Sequence, residues 1–494
     1  MSHAFHFLKR PLLAVLALLS FSAAQAQPLQ PGFDPAEYIE LLKVSARFGD
    51  STYVASFPAP QRFKPVYRSP IVGLDNRWDL WTDNAQTAVI SVRGTTANST
   101  SWLANFYAAM VPAKGDLQIS DTETFAYNLA ENPKAAVHVG WLVATAFLSK
   151  DMLPKLDSSY RKGVRNIVIT GHSQGGAIAY LLTAHLYSLQ KAGRLPADIR
   201  FKTYCSAGPK PGNLYFAYAY EAMTQGGWAF NVVNSADWVP EVPLSIQTLN
   251  DFNATNPFSG APDVIKKQKL LNRIVLKHVY NNLTKPALKA QRNYQRYLGN
   301  IASKTVQKNL NGYVAPEYYN SNHYVRTGQI VVLLADSAYY RQYPDSKEKI
   351  FIHHYHPPYL LLTERQFMGS SAAQTGSSGS GTGALGGRWE LNYISGPRIA
   401  FEGLYPEQKP TLTFSSDGRL SGNTSCNAFN GPVTVNGNTI RFAENMATTR
   451  KMCPGEGESV FLNTLKRVNR YALSDPNTLV LLADDVAVMR FTRK

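Results

Sequence analysis

The sequence predicts an α/β protein with a mainly parallel sheet and a helical insertion, followed by a small, mostly β domain. Three observations predict it. β-branched runs alternate with helical patterns through most of the 494 residues. An uncharged Gly/Ser/Ala stretch, residues 369–387, then interrupts the chain as a flexible linker. Beyond it, short apolar runs are punctuated by "DG" and "NG", the signature of hairpins.

The elements follow in order. Lys9 and Arg10 precede an apolar run from Leu12 to Phe21 and then Ala24-Gln25-Ala26, so residues 1–26 read as a signal peptide cut before Gln27. No later stretch is long and apolar enough to span a bilayer, and export through the Sec route to the periplasm or beyond is expected. The body, 27–368, places strands at 87–94, 166–171, 199–208, 229–234 and 329–336, and helices at 35–47, 138–150 and 176–192. Ile167, Val168, Ile169 and Thr170 suit a buried strand, whereas Ile178, Leu181, Leu182, Leu186 and Leu189 recur at helical spacing. In such a sheet, sites collect at the carboxyl ends of the strands, where Thr95, Ser173 and Asp237 fall. The insertion, 252–322, contains two helical patterns with apolar stripes at Leu271, Ile274, Val275 and Val279 and at Tyr294, Tyr297, Leu298 and Ile301, expected to pack as a hairpin. The tail domain is expected over 388–494.

"NIVITGHSQGG" places Ser173 where the strand turns into the helix, between Gly171 and Gly175. A G-x-S-x-G hinge of this kind lifts the serine oxygen above the sheet, although an ordinary glycine-rich β–α turn would carry the same letters. A serine hydroxyl is a weak nucleophile and needs a histidine base, itself oriented by a carboxylate. Asp237, three residues past a strand, supplies the carboxylate. The backbone N–H of Gln174 supplies one oxyanion donor, and the loop after "ISVRG" is placed to supply another.

Five segments in order, "VRGTTANSTSWLANF", "HVGWLVATAF", "VITGHSQGGAIAYLL", "YCSAGPKPGN" and "VVNSADWVPEVP", resemble the class 3 (fungal-type) lipases of the α/β-hydrolase fold. That resemblance implies Ser173 as nucleophile, Asp237 as triad acid, and Thr95 and Gln174 as oxyanion residues. It also implies a lid over Asn98–Phe106, including Trp102. His172 and His138 are then structural. For the base, "IFIHHYHPPYLLL" offers His356 in an H-x-x-Y pattern with Tyr359, and Pro357 and Pro358 suggest that His356 sits on the loop before a helix. His356 is therefore favoured, with His354 and His323 as alternatives. A metal site at His353, His354 and His356 has no supporting carboxylate spacing. The reaction implied is hydrolysis of a lipid or other carboxylic ester through an acyl-enzyme, with no cofactor. Alternatives are a phospholipase A1, a feruloyl-type esterase, or a silent envelope-binding protein on the same scaffold. "RWELNYISG", "PTLTFSSDGRLSGNTSCNAFNGPV" and "TTRKMCPGEGESVFLNTL" resemble a META domain.

The formal charge is +16, or +14 once Lys9 and Arg10 are removed. Between Pro262 and Leu310 lie eleven Lys or Arg and one acid, Asp263, a local +10. This stretch reads either as a solvated helical face or as a surface for anionic lipid headgroups or envelope polymers. No nucleic-acid reading motif accompanies it. Of three cysteines, Cys426 and Cys453 share a segment and are the natural disulfide pair, leaving Cys205 free.

Overall fold

The computed structural model describes residues 29–368 except 84 and 85, and residues 385–494 except 396–400, 416, 437, 438, 444, 454, 476, 484 and 485. The expected signal segment and most of the linker lie outside the described residues.

The body is built on a seven-stranded sheet whose strands stand side by side in chain order. They are β1 (Lys64–Arg68), β2 (Trp78–Thr82), β3 (Thr87–Val92), β4 (Asn166–His172), β5 (Arg200–Ser206), β6 (Ala229–Asn234) and β7 (Gln329–Leu333). β1, β2 and β3 pair antiparallel; from β3 to β7 every pairing is parallel. Every residue of β3, β4 and β6 is buried, as parallel strands covered on both faces must be. Side-chain alternation divides them between two cores. Ile90, Val92, Ile167, Ile169 and Phe201 face one, and Val89, Val168, Tyr204, Phe230 and Val232 face the other. The first core is closed by α3 (Val139–Arg161) and α4 (Gln174–Lys191), and the second by α1 (Pro35–Ser45) and α7 (His356–Thr363). α3 runs eleven residues beyond its expected end and carries Pro154 within it. α2 (Ser99–Phe106) follows the loop after β3.

The expected helical hairpin is not formed. A single helix, α5 (Leu270–Gln295), runs straight through Pro286, continues as a π turn over Arg296–Ile301, and ends as α6 (Ala302–Asn309). Pro286 removes the hydrogen bond to the carbonyl of Asn282, a residue exposed to solvent, where water can satisfy the freed oxygen. Within the π turn, the Leu298 carbonyl accepts from Ala108 N–H at 2.9 Å and Ala109 N–H at 3.1 Å. Gln291 and Tyr294 are buried beside this joint. The stripe at Leu271, Ile274, Val275 and Val279, expected to pack on the body, is exposed.

The tail is a closed β-barrel. Gly387–Ile394 pairs with Thr411–Phe414 on one side and Val486–Arg493 on the other, and the ring closes where Arg419–Asn423 meets Ala428–Asn436. Closure leaves no free edge among the barrel strands, and the helix Gly457–Lys466 buries Phe461 and Leu465 in the same core as Trp389. Leu385, expected within the linker, is also buried in that core, and its carbonyl accepts from Trp389 Nε1 at 2.8 Å. Cys426 and Cys453 are joined by a disulfide, and Cys205 is a buried free thiol in β5.

Candidate active site

Ser173 stands between β4 and α4 with φ 62° and ψ −131°, a backbone conformation rarely taken by a residue with a Cβ. Its neighbours make the turn possible. A Cβ on Gly171 would lie 2.3 Å from the Gly175 carbonyl, and one on Gly175 would lie 2.2 Å from the Val92 oxygen. Both glycines therefore permit β4, α4 and the end of β3 to touch. Ser173 N–H donates to Ser206 O on β5 at 3.0 Å, fixing the turn to the sheet. The serine is half-buried, at the start of a helix whose free N–H groups favour negative charge.

Asp237 follows β6 and is buried, at 4% exposure. Its Oδ2 accepts from His354 Nδ1 at 2.7 Å and from the Tyr359 hydroxyl at 2.8 Å, and its Oδ1 accepts from Val239 N–H at 3.0 Å. Burial pushes the carboxyl upward, but the His354, Val239 and Tyr359 hydrogen bonds outweigh it and hold Asp237 below the usual carboxylate range. A carboxylate on Nδ1 fixes the His354 tautomer with its lone pair on Nε2, the arrangement a general base needs.

The histidine on Asp237 is thus His354, where the sequence reading favoured His356. His356 is not on a loop. It is the first residue of α7, half-buried, with Nε2 against Ser45 Oγ and Nδ1 against the Tyr53 hydroxyl, both at 2.9 Å. Burial, then repulsion from His172 and His354, drive its pKa well below the ordinary histidine value. His323 is half-buried beside Asp251 and Lys210, away from this carboxylate. His353 contacts the Tyr339 hydroxyl and Asp345. Since His353, His354 and His356 are committed to three separate sets of partners, they form no common ligand set.

His172 sits inside the elbow, stacked against His356 at 4.3 Å and 5.0 Å from the His354 ring. Its Nε2 donates to the His354 carbonyl at 2.6 Å, and its Nδ1 contacts Ser206 Oγ at 2.9 Å. Burial lowers its pKa to about 3, so it is held neutral. The Ser173 hydroxyl forms no hydrogen bond to His354 or to any other described residue, a looseness common before substrate is bound.

The oxyanion candidates are linked by a residue the sequence reading did not single out. Asn105 Nδ2 donates to Thr95 Oγ1 at 3.0 Å, while Asn105 Oδ1 accepts from Gln174 Nε2 at 2.8 Å and Trp141 Nε1 at 3.1 Å. Gln174 Nε2 also donates to the Ser101 carbonyl at 3.0 Å. The spacing of Asn105 in α2, one turn from Ser101, is the only local signal of this role. Asp75 secures the same loop, accepting from Thr96 Oγ1 at 2.6 Å and pairing with Arg93 at 3.2 Å.

An aromatic bridge crosses from α2 to the His354 turn. Trp102 lies 6.2 Å from Phe351, and Phe351 lies 5.4 Å from Trp238 and 5.9 Å from His354. A cleft of about 450 Å³ beside that turn is lined by Phe351, Tyr355 and Pro357, but it does not touch Ser173.

Comparison with known proteins locates two families. Residues 89–246 match the class 3 lipase model, and residues 383–494 match the META domain model. The secreted mono- and diacylglycerol lipase MDL4 of Malassezia globosa is 28% identical over 172 residues, covering 34% of this chain and 51% of that protein. The chloroplastic phospholipase A(1) DAD1 of Arabidopsis thaliana is 28% identical over 160 residues, covering 31% and 33%. The chain therefore spans about half the length of the first relative and a third of the second. Among solved structures, a Rhizomucor miehei lipase–propeptide complex aligns at TM-score 0.32 and 21% identity over 43% of this chain and 65% of that one. The Lip2 lipase of Yarrowia lipolytica aligns at TM-score 0.31 and 19% identity over 44% and 78%.

Proposed function

For a chain that carries a class 3 lipase segment and a META domain, we propose hydrolysis of the carboxylic esters of lipids, with Ser173 as nucleophile, His354 as base and Asp237 as the orienting acid. The observation that carries this reading is the 2.7 Å contact of His354 Nδ1 with the buried Asp237 carboxylate, beside the strained serine turn.

In the proposed reaction, Ser173 Oγ attacks the acyl carbonyl carbon while His354 Nε2 takes the hydroxyl proton. The backbone N–H groups of Gln174 and Thr95 stabilise the oxyanion. The imidazolium then returns its proton to the departing alcohol as the ester C–O bond breaks, leaving an acyl-serine. Water, deprotonated by His354, attacks the acyl carbon; the bond to Ser173 Oγ breaks, His354 returns the proton to that oxygen, and the carboxylic acid is released. No cofactor is needed.

A lipid acyl chain is favoured because Trp102, Phe351 and Trp238 form a run of aromatic rings that reaches the His354 ring. The named activities of the two relatives, on mono- and diacylglycerols and on phospholipids, support the same class. Export is part of the proposal. The Lys9–Ala26 pattern, the Cys426–Cys453 disulfide and the secreted relative support it. The test is turnover of esters of graded chain length, presented as monomers and as micelles, by the wild-type chain and by Ser173→Ala. Loss of all turnover in a folded Ser173→Ala protein is expected. Unchanged turnover would remove the proposal.

A further inference from the structure

The first part of α5 is an apolar surface with nothing packed against it among the described residues. Every residue from Leu271 to Val279 is exposed. Leu271, Val275, Val279 and Leu283 recur every four residues, so they form one row along one side of the helix. They are 78%, 61%, 48% and 75% exposed. Soluble proteins rarely leave such a row in water. Arg273 and Lys277 project from the opposite side, and Lys266, Lys267 and Lys269 cluster at its start. The one acid nearby, Asp263, is already paired with Lys266 at 3.1 Å.

We propose that this arm is an interfacial anchor that lies in the headgroup region of an anionic lipid surface. The row from Leu271 to Leu283 enters the acyl boundary, and the lysines and arginines lie against the phosphates. A peptide or protein partner would answer the apolar row as well. The local +10 between Pro262 and Leu310 selects a surface dense in negative charge, which a bilayer of anionic lipid offers over the whole length of the helix. At about 1.5 Å per residue, the row from Leu271 to Leu283 is about 18 Å long. The far end of the arm is held to the body by the Leu298 carbonyl and Gln291. α6 then touches α2, where Thr100 Oγ1 donates to Asn309 Oδ1 at 3.3 Å. An anchored arm would thus set its lipid surface in mechanical contact with α2, the helix expected to form a lid over the serine.

The test is co-sedimentation of the full chain with vesicles of ether-linked phosphatidylglycerol or ether-linked phosphatidylcholine. These lipids have no carboxylic ester to cleave, so binding is read independently of the proposed hydrolysis. Two variants are compared: Leu271, Val275, Val279 and Leu283→Ser, and Lys266, Lys267, Lys269 and Arg273→Glu. Binding to phosphatidylglycerol should exceed binding to phosphatidylcholine and fall as salt rises. Each variant should weaken it by about tenfold or more. Turnover of a soluble short ester should stay at the wild-type level in both, because all eight side chains face solvent. Undiminished vesicle binding by the serine variant would overturn the proposal. So would a wild-type chain that dimerises, ignores the vesicles, and becomes monomeric in the serine variant, since a second copy would then cover the row.

Discussion

His172 Nε2 donates to the main-chain carbonyl of His354 at 2.6 Å, so the residue before Ser173 holds the residue that carries the proposed base. A nitrogen that donates to a carbonyl must bear the proton, which leaves His172 Nδ1 to accept from Ser206 Oγ. Ser206 Oγ in turn contacts the Tyr38 hydroxyl at 2.7 Å. The proposed triad is therefore tied into the sheet and α1 by a buried chain of neutral groups, and its geometry depends on that chain staying neutral.

The two histidines of the α7 entrance should separate cleanly on substitution. His354→Ala is expected to lower kcat on the order of 10⁴-fold with little change in melting temperature. His356→Ala should instead leave Ser45 and Tyr53 without their partner and cost about 1–3 kcal/mol of stability, with kcat within about tenfold of wild type. Kinetics and urea denaturation of both variants check this. A folded His356→Ala protein without turnover, beside an active His354→Ala protein, would return the base to His356.

Asn105→Ala should act on turnover rather than on substrate binding. Without the amide, Thr95 and Gln174 lose the group that holds them relative to one another. The expected result is a kcat lower by about 10- to 100-fold with KM nearly unchanged, since oxyanion donors act on charge that appears in the transition state. Equal losses through KM would mean that Asn105 shapes the acyl site instead.

Trp102→Ala opens the aromatic bridge to Phe351. Turnover of a soluble short ester below its micelle concentration should rise, and the gain on adding micelles should shrink. An unchanged ratio of the two rates would show that α2 does not cover the serine.

Stability should fall as the pH drops from about 6.5 toward 3. Burial lowers the pKa of His172 and of His138 to about 3, and places that of His356 well below its ordinary value. An unfolded histidine protonates near 6.5, so below that pH the unfolded chain binds protons that the folded chain refuses. The contribution is complete above about pH 6.5, and each such histidine removes about 1.4 kcal/mol per pH unit within the window. Urea midpoints at pH 7, 6 and 5 measure the slope, and His356→Gln should make it shallower by one proton. A flat profile would mean that these rings are protonated in the folded state.

The strands and the elbow were legible because their signals are local. Ile167 to Thr170 read as a strand and Gly171, Ser173 and Gly175 as its hinge, and each lies where those residues put it. The pairing of Asp237 with His354 rather than His356 was not legible, because what fixes it lies far along the chain. Ser45 and Tyr53, 311 and 303 residues away, capture His356, and neither appears in any motif around it. Asn105 was hidden for the same reason, since its partners Thr95 and Gln174 come together only when β3 and β4 pair. The insertion misled through Pro286, which marks a helix start in a packed protein but is tolerated mid-helix where water reaches the freed carbonyl.

The joint at Leu298 gives the arm a rotational phase. One carbonyl accepting two N–H groups fixes the azimuth of the π turn against Ala108 and Ala109, and a rigid helix transmits that azimuth to Leu271. Deleting one residue between Leu283 and Tyr294 would swing the apolar row by about 100° around the axis and aim it elsewhere. Deleting seven would restore its heading to within about 20° while shortening the reach by about 10 Å. Length in this segment is therefore quantised: the arm can lose whole heptads and keep its aim, but not single residues.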